Sequence, residues 1–349
     1  MSNGITMKTI AAQGGVTQAT VSMSLANNPR IPATTRERIQ AIARKLGYHP
    51  NPYVSTLMRI RRQGKPLKER PVLALVCAQR TADGWRHHAA PTIRQMREGA
   101  LERAMFRGYR AQEFWLHRDG MSNERFSEML HARGIRGLLL SPRAEGDAPP
   151  ALHWEHFAAV SLSVPLPNLT ITTVCNDHYF SSLQAMRECH RRGYRRPGLV
   201  LRQVHQHRFQ GRWEAGVLMG GRMLPELEIV EPLYVDGHRD AAALERWLDR
   251  EKPDVIVSPS ADTIPSMLDV LRRAGWDVPR KIGFAVLACP ERGAPLSGIY
   301  QNGAMIGALA VDTLISLVER YEHGLPSQPT TLMVEGQWNE GTTLRPVTP

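Results

Sequence analysis

Positions 17–23 (Thr17, Gln18, Ala19, Thr20, Val21, Ser22 and Met23) combine short hydroxyls and one amide with small apolar groups. On a helix, that mixture suits recognition rather than bond-making. Hydroxyls and amides exchange hydrogen bonds with phosphates and base edges, and small side chains let the backbone come close. The surrounding charge fits such a partner. Residues 1–70 carry twelve Lys/Arg, Arg30 and Arg36 among them, against two acids, so +10 of the chain's net +11 lies in its first fifth. A module charged in this way attracts a polyanion, nucleic acid above all.

The neighbouring residues predict the elements that hold this run. Thr6 can cap a short helix whose apolar face is Met7, Ile10 and Ala11, and Gly14-Gly15 stops it in a tight turn. Thr17 caps a second helix, Gln18 to Leu25, with Val21 and Leu25 turned inward; Asn27-Asn28-Pro29 ends it. A third helix runs from Pro32 to Leu46 with Ile39, Ile42, Ala43 and Leu46 as its buried stripe, and Gly47 terminates it. Two short helices about a glycine turn make a helix-turn-helix unit, whose second helix enters the major groove.

The string from Thr6 to Ser22, with Thr35-Arg36-Glu37-Arg38-Ile39 and Leu46-Gly47-Tyr48-His49-Pro50-Asn51, resembles the DNA-binding head of the LacI/GalR family of bacterial repressors. The resemblance implies that Thr6, Thr20, Ser22, Tyr48 and Asn51 meet phosphates and that Gln18, Ala19 and Met23 meet bases; Thr17, Arg30 and Arg36 are counted with them on the duplex side. Met23 stands where the family often has Arg or His, and Ala26 where it often has Asn. Methionine cannot hydrogen-bond guanine, so readout there leans on apolar contact and duplex shape. The resemblance further implies a hinge helix in the segment Asn51 to Arg59, with Leu57 as an apolar wedge in the minor groove, followed by a basic tether of Arg59, Arg61, Arg62 and Lys65.

The rest of the chain is nearly neutral, and in it short apolar runs alternate with amphipathic helices. Strands are expected at Val72–Ala78, Ala111–Leu116, Gly137–Ser141, Ala158–Leu162, Gly198–Leu201, Val255–Val257 and Ile282–Leu287. Helices are expected at Thr92–Arg107, Asn123–Arg133, His178–Arg192, Arg208–Met223, Ala241–Glu251, Thr263–Ala274 and Ala304–His323. Alternation of this kind implies an α/β fold with parallel sheets, and its restart after Val174 implies two lobes with a ligand cleft at the strand ends between them. The fold class expected is an all-α helix-turn-helix head with a hinge helix, joined to a two-lobed periplasmic-binding-protein-like α/β domain. The domains expected are 1–50 for the head, 51–70 for the hinge helix and basic linker, and 71–349 for the effector and dimerisation domain. Lobe 1 then holds about 71–172 and 303–327, and lobe 2 about 173–302 and 328–349.

The family resemblance, weaker here, supplies candidates for the cleft. Arg208-x-x-Gly211-x-x-x-Ala215 resembles the start of a helix that carries a ligand-binding arginine. Asp262 falls on the acid that opens a later helix, and Gln301 on a glutamine at the crossover between lobes. An arginine fork suits hydroxyls, carboxylate or phosphate, and an aspartate accepts from sugar-like hydroxyls. Trp85, His87 and His88 follow the first strand, where an aromatic wall would stand, and Ser141 ends the third; Asp177, His205 and Arg212 are weaker candidates. Where many members read Gly-Phe-Asp-Asp, this chain reads Val286-Leu287-Ala288-Cys289, which removes acids from the cleft.

No phosphate loop, dinucleotide fingerprint, nucleophile elbow or His-Glu-x-x-His occurs, so no catalytic residue, metal or cofactor is expected. The four cysteines are far apart and read as free thiols. There is no apolar run long enough to span a membrane and no secretory pattern at the front, so the expected location is the cytoplasm, with no membrane partner. Three functions stay open: a ligand-responsive, sequence-specific transcriptional regulator of repressor type; an architectural DNA-binding protein without a ligand; and an α/β enzyme with a DNA-binding appendage. The first predicts three partners: a pseudo-palindromic duplex, a small-molecule effector and a second copy of the chain.

Overall fold

The computed structural model describes residues 7–25, 28, 30–46, 70–118, 120–143, 148–164, 168–236, 241–263 and 266–347. Three short helices open it: α1 (Met7–Gly14), α2 (Gln18–Leu25) and α3 (Ala33–Lys45). Ile10, Ala11, Val21, Ile39 and Ala43 form their shared core. Gly15 takes φ +61° in the turn after α1, a left-handed conformation that glycine adopts at little cost. Thr17 Oγ1 accepts from the Thr20 amide at 3.1 Å and so caps α2. Side chains of α3 brace the other two helices: Arg38 Nη1 donates to the Gly14 carbonyl at 2.8 Å and Gln40 Nε2 to the Ser24 carbonyl at 3.0 Å. Thr6, Ala26, Tyr48, Asn51, the hinge segment with Leu57, and the tether residues Arg59, Arg61, Arg62 and Lys65 lie outside the described residues.

The remainder builds two six-stranded sheets. The first uses β1 (Val72–Cys77), β2 (Arg110–Trp115), β3 (Gly137–Leu140), β4 (Ala158–Leu162), β5 (Thr172–Asn176) and β11 (Thr331–Val334), in the order β11-β5-β4-β3-β1-β2 and parallel throughout. The second uses β6 (Pro197–Arg202), β7 (Leu233–Val235), β8 (Val255–Ser258), β9 (Gly283–Val286), β10 (Ser297–Tyr300) and β12 (Gln337–Asn339), in the order β12-β10-β9-β8-β6-β7. Only the β10–β12 pair in it is antiparallel. The central strands are buried apolar runs, as strands covered on both faces must be.

Helices α4 (Pro91–Phe106), α5 (Asn123–Ala132) and α11 (Gly303–Glu319) pack with the first sheet; α6 (His178–Arg191), α7 (Gln203–Arg208), α8 (Arg212–Met223), α9 (Ala241–Glu251) and α10 (Met267–Arg273) go with the second. Helices α4 and α11 approach so closely that a Cβ on Gly99 would strike the Ala304 carbonyl and one on Gly307 the Met96 carbonyl. The buried Arg192 guanidinium ties the end of α6 to the last strand segment through Glu188 and, at 2.6–2.8 Å, through both oxygens of Glu340.

The topology corrects the lobe boundaries. β5 and β11 pair with each other in the first sheet, so 173–176 and 331–334 belong with lobe 1, not lobe 2. The chain therefore crosses between lobes at Asp177, at Gln301-Asn302 and at Glu335-Gly336. Hydrogen bonds join the first and third crossings: Asp177 N and Asn176 Nδ2 both donate to the Val334 carbonyl, at 2.9 and 3.1 Å. The helix expected over Arg208–Met223 is instead two. Gly211 sits at φ +67° between α7 and α8, which breaks the ladder and starts a new one.

Candidate functional site

In the head, Thr17, Gln18, Ala19 and Ser22 of the second-helix run are exposed, and Thr20 and Met23 are half-buried. Val21 and Ser24 are buried beneath them, so α2 has one exposed face and one core face. Arg30 is exposed beside the turn into α3. Arg36 is half-buried, and its Nη1 donates to the Ile31 carbonyl at 2.9 Å and the Asn28 carbonyl at 3.4 Å. Arg36 thus pins the α2–α3 connection, a positioning role beyond any charge it lends to the surface.

The second candidate site lies where the C-terminal ends of the first-sheet strands meet the segments after β6 and β9. Ser141 directly follows β3 and is buried, with both polar functions used: Oγ accepts from the Ala78 amide at 2.9 Å and donates to the Pro142 carbonyl at 3.0 Å. Gln301 is buried at the second crossing and donates to the Leu287 carbonyl at 2.9 Å. Arg208 bridges the lobes, Nη2 donating to the Arg143 carbonyl at 3.2 Å. It stands at the last residue of α7, not at the start of a helix as expected, because the chain turns helical directly after β6 and stops at Gly211.

Two further candidates are placed differently from expectation. Trp85 is 0% exposed and belongs to the core under the first sheet, its Nε1 donating to the Ile93 carbonyl at 3.0 Å. The loop after β1 folds the indole inward, so it is not an open stacking wall. Asp262 is exposed and lies in the turn before α10, whose cap position is Ser266; it does not open that helix. His87 is exposed, 3.9 Å from Asp83. His88 is half-buried, and burial, then the charges of Arg208 and Arg94, hold it below the usual imidazole range.

A cluster that the sequence reading did not assemble surrounds Arg208. His178, at the first crossing, packs edge-on against Phe209 and Trp213, with ring centroids 4.7 and 4.9 Å apart. His205 meets the same two rings at 5.8 and 6.0 Å, and Phe209 lies 4.3 Å from Trp213. Burial, then Arg212 and Arg208, push His178 down to about 3; burial, then Arg202 and Arg208, push His205 down to about 4. Both are therefore neutral near pH 7. The Nδ1 atoms of both histidines, Trp213 Nε1 and Gln206 Oε1 are buried and unpartnered, a condition that costs roughly 1–3 kcal/mol per group. His205, Phe209 and Trp213 recur every four residues, and that spacing was the available signal. Among the described residues no His/Cys/Asp/Glu cluster could hold a metal, and no helix is long and apolar enough to cross a membrane. All four cysteines are free and buried.

Comparison with known proteins matches two stretches of the chain. Residues 6–51 match the family described as "Bacterial regulatory proteins, lacI family", and residues 186–343 match "Periplasmic binding protein-like domain". The chain is 24% identical over 346 residues to the HTH-type transcriptional repressor CytR of Escherichia coli (strain K12), covering 93% of this chain and 92% of that one. In fold it is similar to a transcriptional regulator CelR–cellobiose complex, with TM-score 0.58, 22% identity, and 97% and 99% of the two chains covered. It is also similar to the Lac repressor dimer bound to operator and the anti-inducer ONPF, with TM-score 0.55, 17% identity, and 99% and 100% covered.

Proposed function

The chain belongs to the LacI family of bacterial regulatory proteins, and from that premise we propose that it is a ligand-responsive, sequence-specific transcriptional repressor. Residues 1–50 read the duplex, 51–70 form hinge and linker, and 71–349 sense a small metabolite and pair two copies. Gln18, Ala19 and Met23 address bases. Thr6, Thr17, Thr20, Ser22, Tyr48 and Asn51 hold phosphates, and Arg30 and Arg36 add positive charge beside them. Leu57 wedges into the minor groove.

The observation that carries this reading is the division of α2, with exposed Gln18, Ala19 and Ser22 above a packed Val21, in a module holding nearly all the chain's net charge. The body supplies the sensor. Ser141, Arg208 and Gln301 come from both lobes to the strand ends, where ligands of parallel sheets bind. His87 and Asp262, both exposed, are assigned to the rim of that site. A ligand there changes how the lobes are held together, and the hinge passes that change to the paired heads. The chain works as a binder in the cytoplasm, not as a catalyst.

Selection of duplexes from a randomised pool by the full chain tests the reading. A pseudo-palindromic sequence is expected, lost on Gln18→Ala or Leu57→Ala. Recovery of unrelated sequences would contradict specificity and favour an architectural role.

A further inference from the structure

The interlobe cluster has an electrostatic character that bears on ligand class. Arg208 and Arg212 border His178, and Arg202 and Arg208 border His205. Arg94, from the first lobe, donates to the Ala89 carbonyl at 3.0 Å and shares His88 with Arg208. Among the described residues no carboxylate lies within ion-pair distance of Arg94, Arg202 or Arg212; Arg212 Nη1 instead lies 4.0 Å from Cys175 Sγ. Two described acids on adjoining segments have other partners. Asp177 accepts from the Phe180 amide at 2.8 Å as the cap of α6, and Glu214 takes the amide of Gln206 and lies beside Tyr234. After β9, Val286–Cys289 contributes no acid.

Neutral donors complete the arrangement. His178 is 5% exposed and Trp213 4% exposed, and His178 Nδ1 and Trp213 Nε1 are unpartnered. Trp213 Nε1 carries a hydrogen in every protonation state, and neutral His178 can place its own on Nδ1. Like charges held together are relieved by an anion, and N–H groups beside them give it charge-assisted hydrogen bonds. Gln206 Oε1 is the complementary acceptor, available to a hydroxyl.

Resting on the reading of this cleft as the effector site, we infer that the effector is a small hydroxylated anion bearing a carboxylate or a phosphate. Arg208 and Arg212 take its charged end together with His178 Nδ1 and Trp213 Nε1, and a hydroxyl donates to Gln206 Oε1. The ring pile of Phe209 and Trp213 covers its apolar side. Arg208 already donates across the cleft, so an anion seated on it engages a group that links the two lobes.

The test follows thermal unfolding of the full chain with gluconate against glucose, ribose 5-phosphate against ribose, and inorganic phosphate, at matched ionic strength. At least one organic anion is expected to stabilise with a midpoint tenfold or more below that of its neutral counterpart. The gluconate and phosphate arms separate a carboxylate from a phosphoryl group. Arg212→Gln and His178→Phe should each weaken that anion at least tenfold, and Arg212→Lys should weaken it less than Arg212→Gln. Trp213→Phe keeps an aromatic ring at this position while removing the N–H donor, so it answers where another variant fails to fold. Anions that stabilise no better than their neutral counterparts at millimolar concentration overturn the inference. If glucose or ribose shifts duplex affinity and the anions do not, the ligand class falls and the regulatory reading stands. If the anions bind and duplex affinity stays fixed, the anion site stands and the regulatory reading falls.

Discussion

Arg208 of α7 donates from Nη2 to the carbonyl oxygen of Arg143, 3.2 Å away on the far side of the cleft. One guanidinium of the second lobe therefore reaches the first. An anion that draws Arg208 toward itself competes with the Arg143 carbonyl, which gives binding a direct effect on lobe contact.

Substituting that guanidinium should separate sensing from folding. Arg208→Gln keeps a donor but loses the charge and the fork. The stabilising anion should bind it at least tenfold more weakly in calorimetric titration, while the second lobe keeps its cooperative unfolding. Unchanged affinity would remove Arg208 from the site.

Stability should depend on pH through the two buried imidazoles. Their folded values, about 3 for His178 and about 4 for His205, lie below the ordinary 6.5. The unfolded chain therefore binds protons that the native chain refuses. Native stability from this source is full above pH 6.5 and falls as pH drops toward those depressed values, by up to about 1.4 kcal/mol per pH unit for each group. Urea unfolding from pH 7 to 4 measures the slope, and His178→Phe should flatten it; an identical slope in the variant would show that His178 is not the source.

In the head, Thr17 accepts from the Thr20 amide at 3.1 Å. Thr17→Ala should cost about 1 kcal/mol of head stability and Thr17→Ser much less. Amide exchange in α2 reads this difference directly, and equal protection in the two variants would show the cap to be idle.

Backbone contact between α4 and α11 leaves no room at Gly307, where a methyl would meet the Met96 carbonyl. Gly307→Ala should destabilise the first lobe by about 1–3 kcal/mol, the usual cost of overpacking. Thermal unfolding checks it. A variant of unchanged or raised stability would mean that the two helices can part without loss.

What was legible in the sequence follows from whether the signal is local. The head was readable because each signal in it is short-range: the cap Thr17 lies two residues after the glycine turn, and Ile39 and Ala43 are four residues apart on one helix. The strands β1, β3, β8 and β9 were readable as short buried apolar runs. β5 carries Thr172, Thr173 and Asn176, β11 is partly exposed and β12 is three residues long. These strands exist because distant partners pair with them, and that is how the lobe boundaries were misplaced. Trp85 looked like a loop aromatic because nothing local announces that Ile93 accepts its Nε1 proton. Arg208 and Gln301 were found through the family resemblance. His178 and Trp213 were not, because their meeting depends on a crossing between lobes and on the break at Gly211.

The most direct test of the whole account is the anisotropy of a selected, labelled duplex titrated with the full chain at fixed salt, with and without the anion that stabilises it. Coupling between two real sites is reciprocal and typically shifts affinity roughly 5–150-fold. The account predicts that the DNA-binding midpoint moves at least fivefold with the anion and that the move disappears in Arg208→Gln. A midpoint that stays in place with the cleft saturated would contradict it.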